Sequence, residues 1–177
     1  MNPKALYNIT YGLYLLSARG NGKDNACIIN TAAQLTSNPN RISIAVNKQN
    51  LTHDMILKNH AFNLSIIGQS AGFELFERFG FHTGRDTDKF AGFDQPRSIT
   101  GIPYITKGTT AWMSGWVEQT IDLGTHTLFI AAVTDAEKLA NEAPTKMLGP
   151  LMLCIFPAVF IILLGPVIAQ AMKGQLF

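Results

Sequence analysis

The sequence predicts an α+β fold in which strands dominate, a small closed β-barrel with short inserted helices, followed by one long apolar helix. Three observations lead there. Short β-patterned runs recur at regular spacing through residues 1–137, as they do in barrels. Two brief stretches with helical patterning are inserted between them. After them comes "MLGPLMLCIFPAVFIILLGPVIAQAM", residues 147–172, a run of 26 uncharged residues between Lys146 and Lys173.

The first strand is expected over residues 8–17. Lys4 precedes a partly apolar run there, as in a secretory signal, but Asn8 and Thr10 break the run before it reaches the length of an h-region. A second strand is expected over 26–34. "RISIAVNK" alternates strictly, with Ile42, Ile44 and Val46 on one face. "LTHDMILKNH" reads as the first helix, opened by Asn50 or Thr52 as cap, with Asp54 in its first turn where a carboxylate suits the helix dipole. "FNLSII" is the next strand and "GFELFERF" the second helix. The glycine- and proline-bearing stretch 80–103 reads as loop. "AWMSGWVEQTIDL" and "HTLFIAAV" complete the strands, and "AEKLANEAPTK" then breaks the strand pattern and leads into the apolar run. There is no internal repeat and no low-complexity segment.

Composition narrows the function. The 177 residues amount to one domain with an appendage. The chain is 47% hydrophobic and 15% charged, but residues 1–146 hold all 12 acids and 13 of the 14 Lys and Arg, so the body is normally charged and the tail nearly bare. A net charge of +2, with no basic cluster carrying interleaved aromatics, argues against nucleic acid as a partner. Cys27 and Cys154 form neither a disulfide framework nor a metal-binding spacing, which suits a reducing compartment.

At "NACIINTAAQLTSNPNRISIAVNKQNLTHDMI", and again at "FELFERFGFHTGRDTDKFAGF" and "QTIDLGTHTLFIAAVTDAE", the chain resembles the flavin reductase family. The resemblance covers roughly residues 3–137, in separated blocks in the right order. Within the family it is most similar to the flavoprotein domain of high-molecular-weight rubredoxins, although the CxxC pairs of a rubredoxin are absent. The resemblance implies an FMN-binding split β-barrel, FMN as cofactor and NAD(P)H as co-substrate. It further implies hydride transfer from nicotinamide C4 to flavin N5 and onward delivery to free flavin, a rubredoxin-like protein or another acceptor. A homodimer with the flavin near the subunit boundary is implied as well.

The resemblance also assigns residues. "NKQNLTHD" would grip the FMN phosphate and ribityl chain through Asn47, Lys48, Asn50 and Thr52, where a strand leaves and a helix begins; a helix N-terminus with nearby positive charge is what a phosphate needs. Read without the family, the same residues are a strand, a turn and a capped helix with an exposed lysine. "INTAAQLTSNP" would lie along the isoalloxazine edge through Asn30, Thr31, Ala32 and Ala33, the small side chains letting backbone approach a flat ring; alone, it is a buried strand of small residues. His126 matches the family histidine near the flavin, the catalytic candidate, with Thr125 where an aspartate is frequent. A lone histidine at a strand start is otherwise structural. From "GRDTDKFAGF", Arg85, Asp88, Lys89 and Phe90 are expected to close over the flavin or a partner subunit, with a solvated charged loop as the alternative. No metal site is expected. Cys27 reads as a small buried hydrophobe, and Trp112 and Trp116 as core or dimer surface.

The tail departs from that family. The 26-residue run exceeds the roughly 20 residues that cross a bilayer, and "APTKMLGPLMLCIFPAVFIILLGPVI" resembles the last transmembrane segment of platform proteins of type II secretion and tight-adherence systems. The expected organisation is therefore a split-barrel domain over 1–137, a linker over 138–146 and a membrane-spanning helix over 147–172, as if two sequence types were joined near 137–144. Lys138 and Lys146 before the run and Lys173 after it favour a cytoplasmic body on the inner membrane. Two further readings stay open: an FMN-binding module that turns over poorly, and a membrane component carrying the barrel as passenger.

Overall fold

The computed structural model describes residues 3–139. The expected membrane helix over 147–172 lies outside them, as does the expected linker except for its first two residues. Among the described residues no helix is long and apolar enough to cross a membrane.

A 3-10 turn (Pro3–Asn8) precedes seven strands and two helices. These are β1 (Tyr14–Gly20), β2 (Lys23–Ile29), β3 (Ala32–Ser37), β4 (Asn40–Asn47), α1 (Leu51–Asn59), β5 (Ala61–Ile67), α2 (Phe73–Gly80), β6 (Thr109–Asp122) and β7 (His126–Lys138). All paired strands are antiparallel, in the order β2-β1-β5-β6-β7-β4-β3. The architecture is thus mainly β with two helices. The ladder runs from β2 at one edge to β3 at the other and does not itself close the expected ring.

Period-two alternation explains the two cores. On β1, Leu16 and Ala18 face the main core with Ile44 and Val46 of β4, Ile56 of α1, Phe62 of β5 and Phe129 of β7; Leu15 faces the opposite way, onto Leu75 and Phe79 of α2. A strand covered on both faces loses its polar alternation, and β1 has only Ser17 buried among its apolar residues. Each aliphatic side chain so buried contributes about 1.5–3 kcal/mol.

Three boundaries differ from expectation. The first strand begins at Tyr14 rather than residue 8, because its ladder to β5 ends at Tyr14↔Ile66 and β5 itself ends at Ile67. The expected strand 26–34 is two strands: β2 pairs with β1 at one edge and β3 with β4 at the other, so Asn30 and Thr31 form the corner between them. Finally, "AEK" does not break the strand pattern. β7 continues to Lys138, which pairs with Ala111, and Glu137 accepts a bond from the Trp112 indole at 3.4 Å.

Candidate cofactor site

β4 and β7 run side by side in register Asn47↔His126. Two of the sequence-assigned blocks therefore meet at one end of the sheet. The Lys48 N–H donates to Thr125 O at 3.1 Å, and the chain then turns, with Asn50 N–H bonded to Asn47 O at 3.0 Å. The Asn47 side chain closes this turn by accepting from the Gln49 N–H at 2.9 Å. Helix α1 follows with Asn50 in the cap position, but the Asn50 side chain makes no capping bond. The expectation of a side-chain cap is not met. The first turn consequently presents N–H groups without a side-chain acceptor, the arrangement that suits an anion.

The third block lies one strand further out. β3 pairs with β4 through Ala32↔Ile44 and Ala33↔Ser43, and the Thr31 hydroxyl donates to Ala45 O at 2.6 Å. In the corner before this strand Asn30 is exposed and Thr31 half-buried; on the strand itself Ala32 is half-buried and Ala33 exposed. Asn30, Thr31, Asn47, Lys48, Asn50 and His126 are in this way gathered at one sheet end.

Charge at this end is balanced by carboxylates. Lys48 Nζ sits 2.6 Å from Asp122 Oδ1, which also accepts the Gly124 N–H at 2.7 Å. The Lys48 bond, that N–H and the lysine charge together hold the Asp122 carboxyl below its ordinary range. Across the turn, Arg85 donates to Asp54 Oδ2 at 2.7 Å and to Gln49 O at 3.4 Å. Partial burial pushes the Asp54 carboxyl up, but the bonds from His53 and Arg85 and the arginine charge outweigh it, leaving the group lowered. Where the family often carries an aspartate, the Thr125 hydroxyl lies 2.9 Å from His126 Nδ1, so the half-buried imidazole keeps an orienting partner.

Three assigned residues behave otherwise. Lys89 does not reach the sheet end: its ammonium is buried, donating to Ala26 O at 3.0 Å and Phe79 O at 3.1 Å. Burial pushes its pKa down. It braces the loop rather than meeting solvent. Phe90 packs its ring on Phe79, 5.4 Å between centroids, in the second core. Thr52 is fully buried in α1, accepting from Asn25 Nδ2 at 2.9 Å, so its hydroxyl is spent inside the fold. Conversely Arg85 does approach the α1 turn, and Asp54, Asp122 and His53 join the site unannounced. Nothing in their local pattern signals it, because each is brought in by a partner 31, 74 or 74 positions away.

A sequence profile described as "Flavin reductase like domain" matches residues 6–155. The chain belongs to the flavin reductase-like family. The family match runs beyond residue 137, the expected end of the split-barrel domain, into the segment whose sequence departs from the family pattern. Among curated relatives, the chain is 41% identical over 144 residues to the high molecular weight rubredoxin of Moorella thermoacetica, covering 81% of this chain and 63% of that one. It is 37% identical over 141 residues to the ferric-chelate reductase (NAD(P)H) of Archaeoglobus fulgidus, covering 80% and 83%. Two solved structures share the fold. Flavoredoxin from Methanosarcina acetivorans superposes with a TM-score of 0.66 at 22% identity, over 74% of this chain and 72% of that one. An FMN-binding protein from Thermus thermophilus gives 0.69 at 21%, over 79% and 78%. The flavin reductase-like chain described here thus spans under two thirds of the rubredoxin relative and most of the reductase one.

Proposed function

We propose that this flavin reductase-like chain binds FMN at the β3–β4–β7 end and acts as an NAD(P)H-dependent reductase that delivers electrons to a flavin or protein acceptor. The observation that carries it is the meeting of an α1 first turn with no side-chain cap, the Lys48 ammonium and His126 at one sheet end. The names of the relatives, a ferric-chelate reductase and FMN-binding proteins among them, point the same way. The residues fit the cofactor. The Leu51 and Thr52 N–H groups that open α1 and the side-chain NH2 groups of Asn47 and Asn50 would hold its phosphate, with Lys48 supplying charge once released from the exposed Asp122. The backbone of 30–33 would flank the ring, with His126, set by Thr125, beside it. When bound, FMN supplies the redox chemistry, taking a hydride from the nicotinamide and passing the electrons on. The protein's part is to bind, orient and shield. We also propose a split barrel closed beyond the ladder, and a homodimer across the β3 side. There β3 is an edge strand with Leu35 exposed, a surface that invites pairing.

The test is FMN titration of the full-length chain, followed by NADH or NADPH under argon. Fluorescence quenching on binding and bleaching of the flavin absorbance are expected. Lys48→Ala should weaken FMN by about tenfold, the worth of one charge-assisted bond at a partly exposed site. Absence of flavin binding by the wild-type chain rejects the reading. Bound flavin that neither nucleotide bleaches leaves only the binding module. Light scattering of the same preparation should give a dimer, and a monomer at working concentration excludes that part.

For residues 147–172 we propose a membrane span that tethers the 1–137 domain through 138–146, on the strength of its 26 uncharged residues. The chain should stay in the membrane pellet through carbonate washing and come away only with detergent. Release by carbonate rules out the span.

A further inference from the structure

His53 lies in the first turn of α1 and is buried. Its ring stands edge-on to Phe129, 5.7 Å between centroids. Nδ1 is 3.1 Å from Asp54 Oδ1, and Nε2 is 2.9 Å from the buried Thr127 hydroxyl. A carboxylate only accepts, so Nδ1 donates to Asp54, and in the neutral tautomer this requires, Nε2 accepts from the Thr127 hydroxyl. Asp54 in turn holds Arg85 at 2.7 Å. The result is a continuous side-chain chain, Thr127–His53–Asp54–Arg85. It joins the start of β7, the first turn of α1 and the 83–90 loop. Among the described residues, the His53–Thr127 bond is the one side-chain hydrogen bond between α1 and β7.

The placement matters because the site has two ends on different elements. The phosphate end is the Asn47–Asn50 turn and the start of α1; the ring end includes His126, next to Thr127 on β7. The backbone of the turn joins Lys48 to Thr125, and on its other side Thr52 of α1 is held to Asn25 of β2. The buried, doubly bonded imidazole of His53 adds the side-chain link from the first turn of α1 to β7.

We infer that His53 is a positioning residue for the flavin: its bond to Thr127 sets the α1 first turn at the spacing from His126 that FMN spans. The inference rests on the proposed FMN site. Its test is a double-mutant cycle read by FMN affinity and by thermal unfolding of the full-length chain. Thr127→Val removes the hydroxyl at constant shape. His53→Asn keeps a polar group near Nδ1 for Asp54 but cannot reach Thr127, whereas His53→Gln reaches Thr127.

Thr127→Val and His53→Asn should each raise the FMN Kd by about fivefold to tenfold, the worth of one buried bond. The double variant should be no weaker than either single one, since both remove the same bond. His53→Gln should stay within about twofold of wild type. FMN affinities unchanged in the single variants, with coupling confined to the melting temperature, would overturn the inference and leave His53 a stability element. Additive losses would overturn it too, as would a His53→Gln variant as weak as His53→Asn, because the loss would then belong to ring packing on Phe129. Failure of the wild-type chain to bind FMN removes the site reading and this inference together; wild-type binding with indifferent variants removes the inference alone.

Discussion

Phe129→Ala is expected to lower the unfolding free energy by about 3–5 kcal/mol, the range for deleting a buried aromatic ring. Phe129 is fully buried near the start of β7, opposite Ile44 on one neighbouring strand and Thr120 on the other. It belongs to the main core, where β1, β4, β5 and α1 converge, and its ring carries the edge of His53. Strand backbones hydrogen-bonded on both sides cannot move in to fill the space, so most of the cavity would persist. Phe129→Leu keeps most of the volume and should cost about 1.5 kcal/mol or less. Denaturant unfolding of the two variants would decide it. An alanine variant losing under about 1 kcal/mol would mean the ring is not packed as described. The loss should also spread to the proposed cofactor site, because His53 would lose the surface against which its ring is set.

Asn63→Ala should cost about 3 kcal/mol, for a different reason: it strands partners rather than opening a hole. Asn63 is fully buried on β5. Its amide donates to the Ser98 hydroxyl at 3.0 Å and to Ile102 O at 2.8 Å, and its carbonyl accepts from the Ser114 hydroxyl at 2.6 Å. Ser17 donates to Pro103 O at 2.6 Å, and Ser65 accepts the Ile105 N–H at 3.0 Å. These side chains stitch segment 98–105 onto the sheet. Removing the central one leaves the Ser114 hydroxyl without its acceptor and takes one bond each from Ser98 and Ile102 O in a water-poor layer. Hydrogen exchange should show 98–105 opening before the sheet does. Protection of that segment equal to wild type would argue that the network carries little.

The same network shows where sequence reading stops. In "FNLSII" the polar residues alternate with apolar ones, as on a strand with one face in water. Asn63 and Ser65 are instead buried, because a loop that carries no regular pattern of its own folds over that face and brings backbone groups needing partners. Lys89 is a parallel case. In a loop of charges it reads as a solvent-facing cation, yet the two carbonyls that take its ammonium belong to β2 and α2, and only the fold sets them on either side of it. The division of residues 26–34 into two strands has the same origin, since Asn30 and Thr31 carry no glycine or proline to mark a corner.

What the sequence determined by itself is what short-range physics encodes. Alternation over 40–47 placed Ile42, Ile44 and Val46 in the core, and the helical patterns of α1 and α2 located both helices. The ordered blocks led to the flavin reductase-like family. The tertiary structure alone decided which side chains share a space. It paired Lys48 with Asp122, gave His126 the Thr125 hydroxyl, turned Thr52 and Lys89 inward and set His53 against Thr127. The Lys48 and His53 pairings depend on β4 and β7 lying in register although about 80 residues of chain separate them. Local pattern says which face of a strand is buried; only the assembled sheet says what it is buried against.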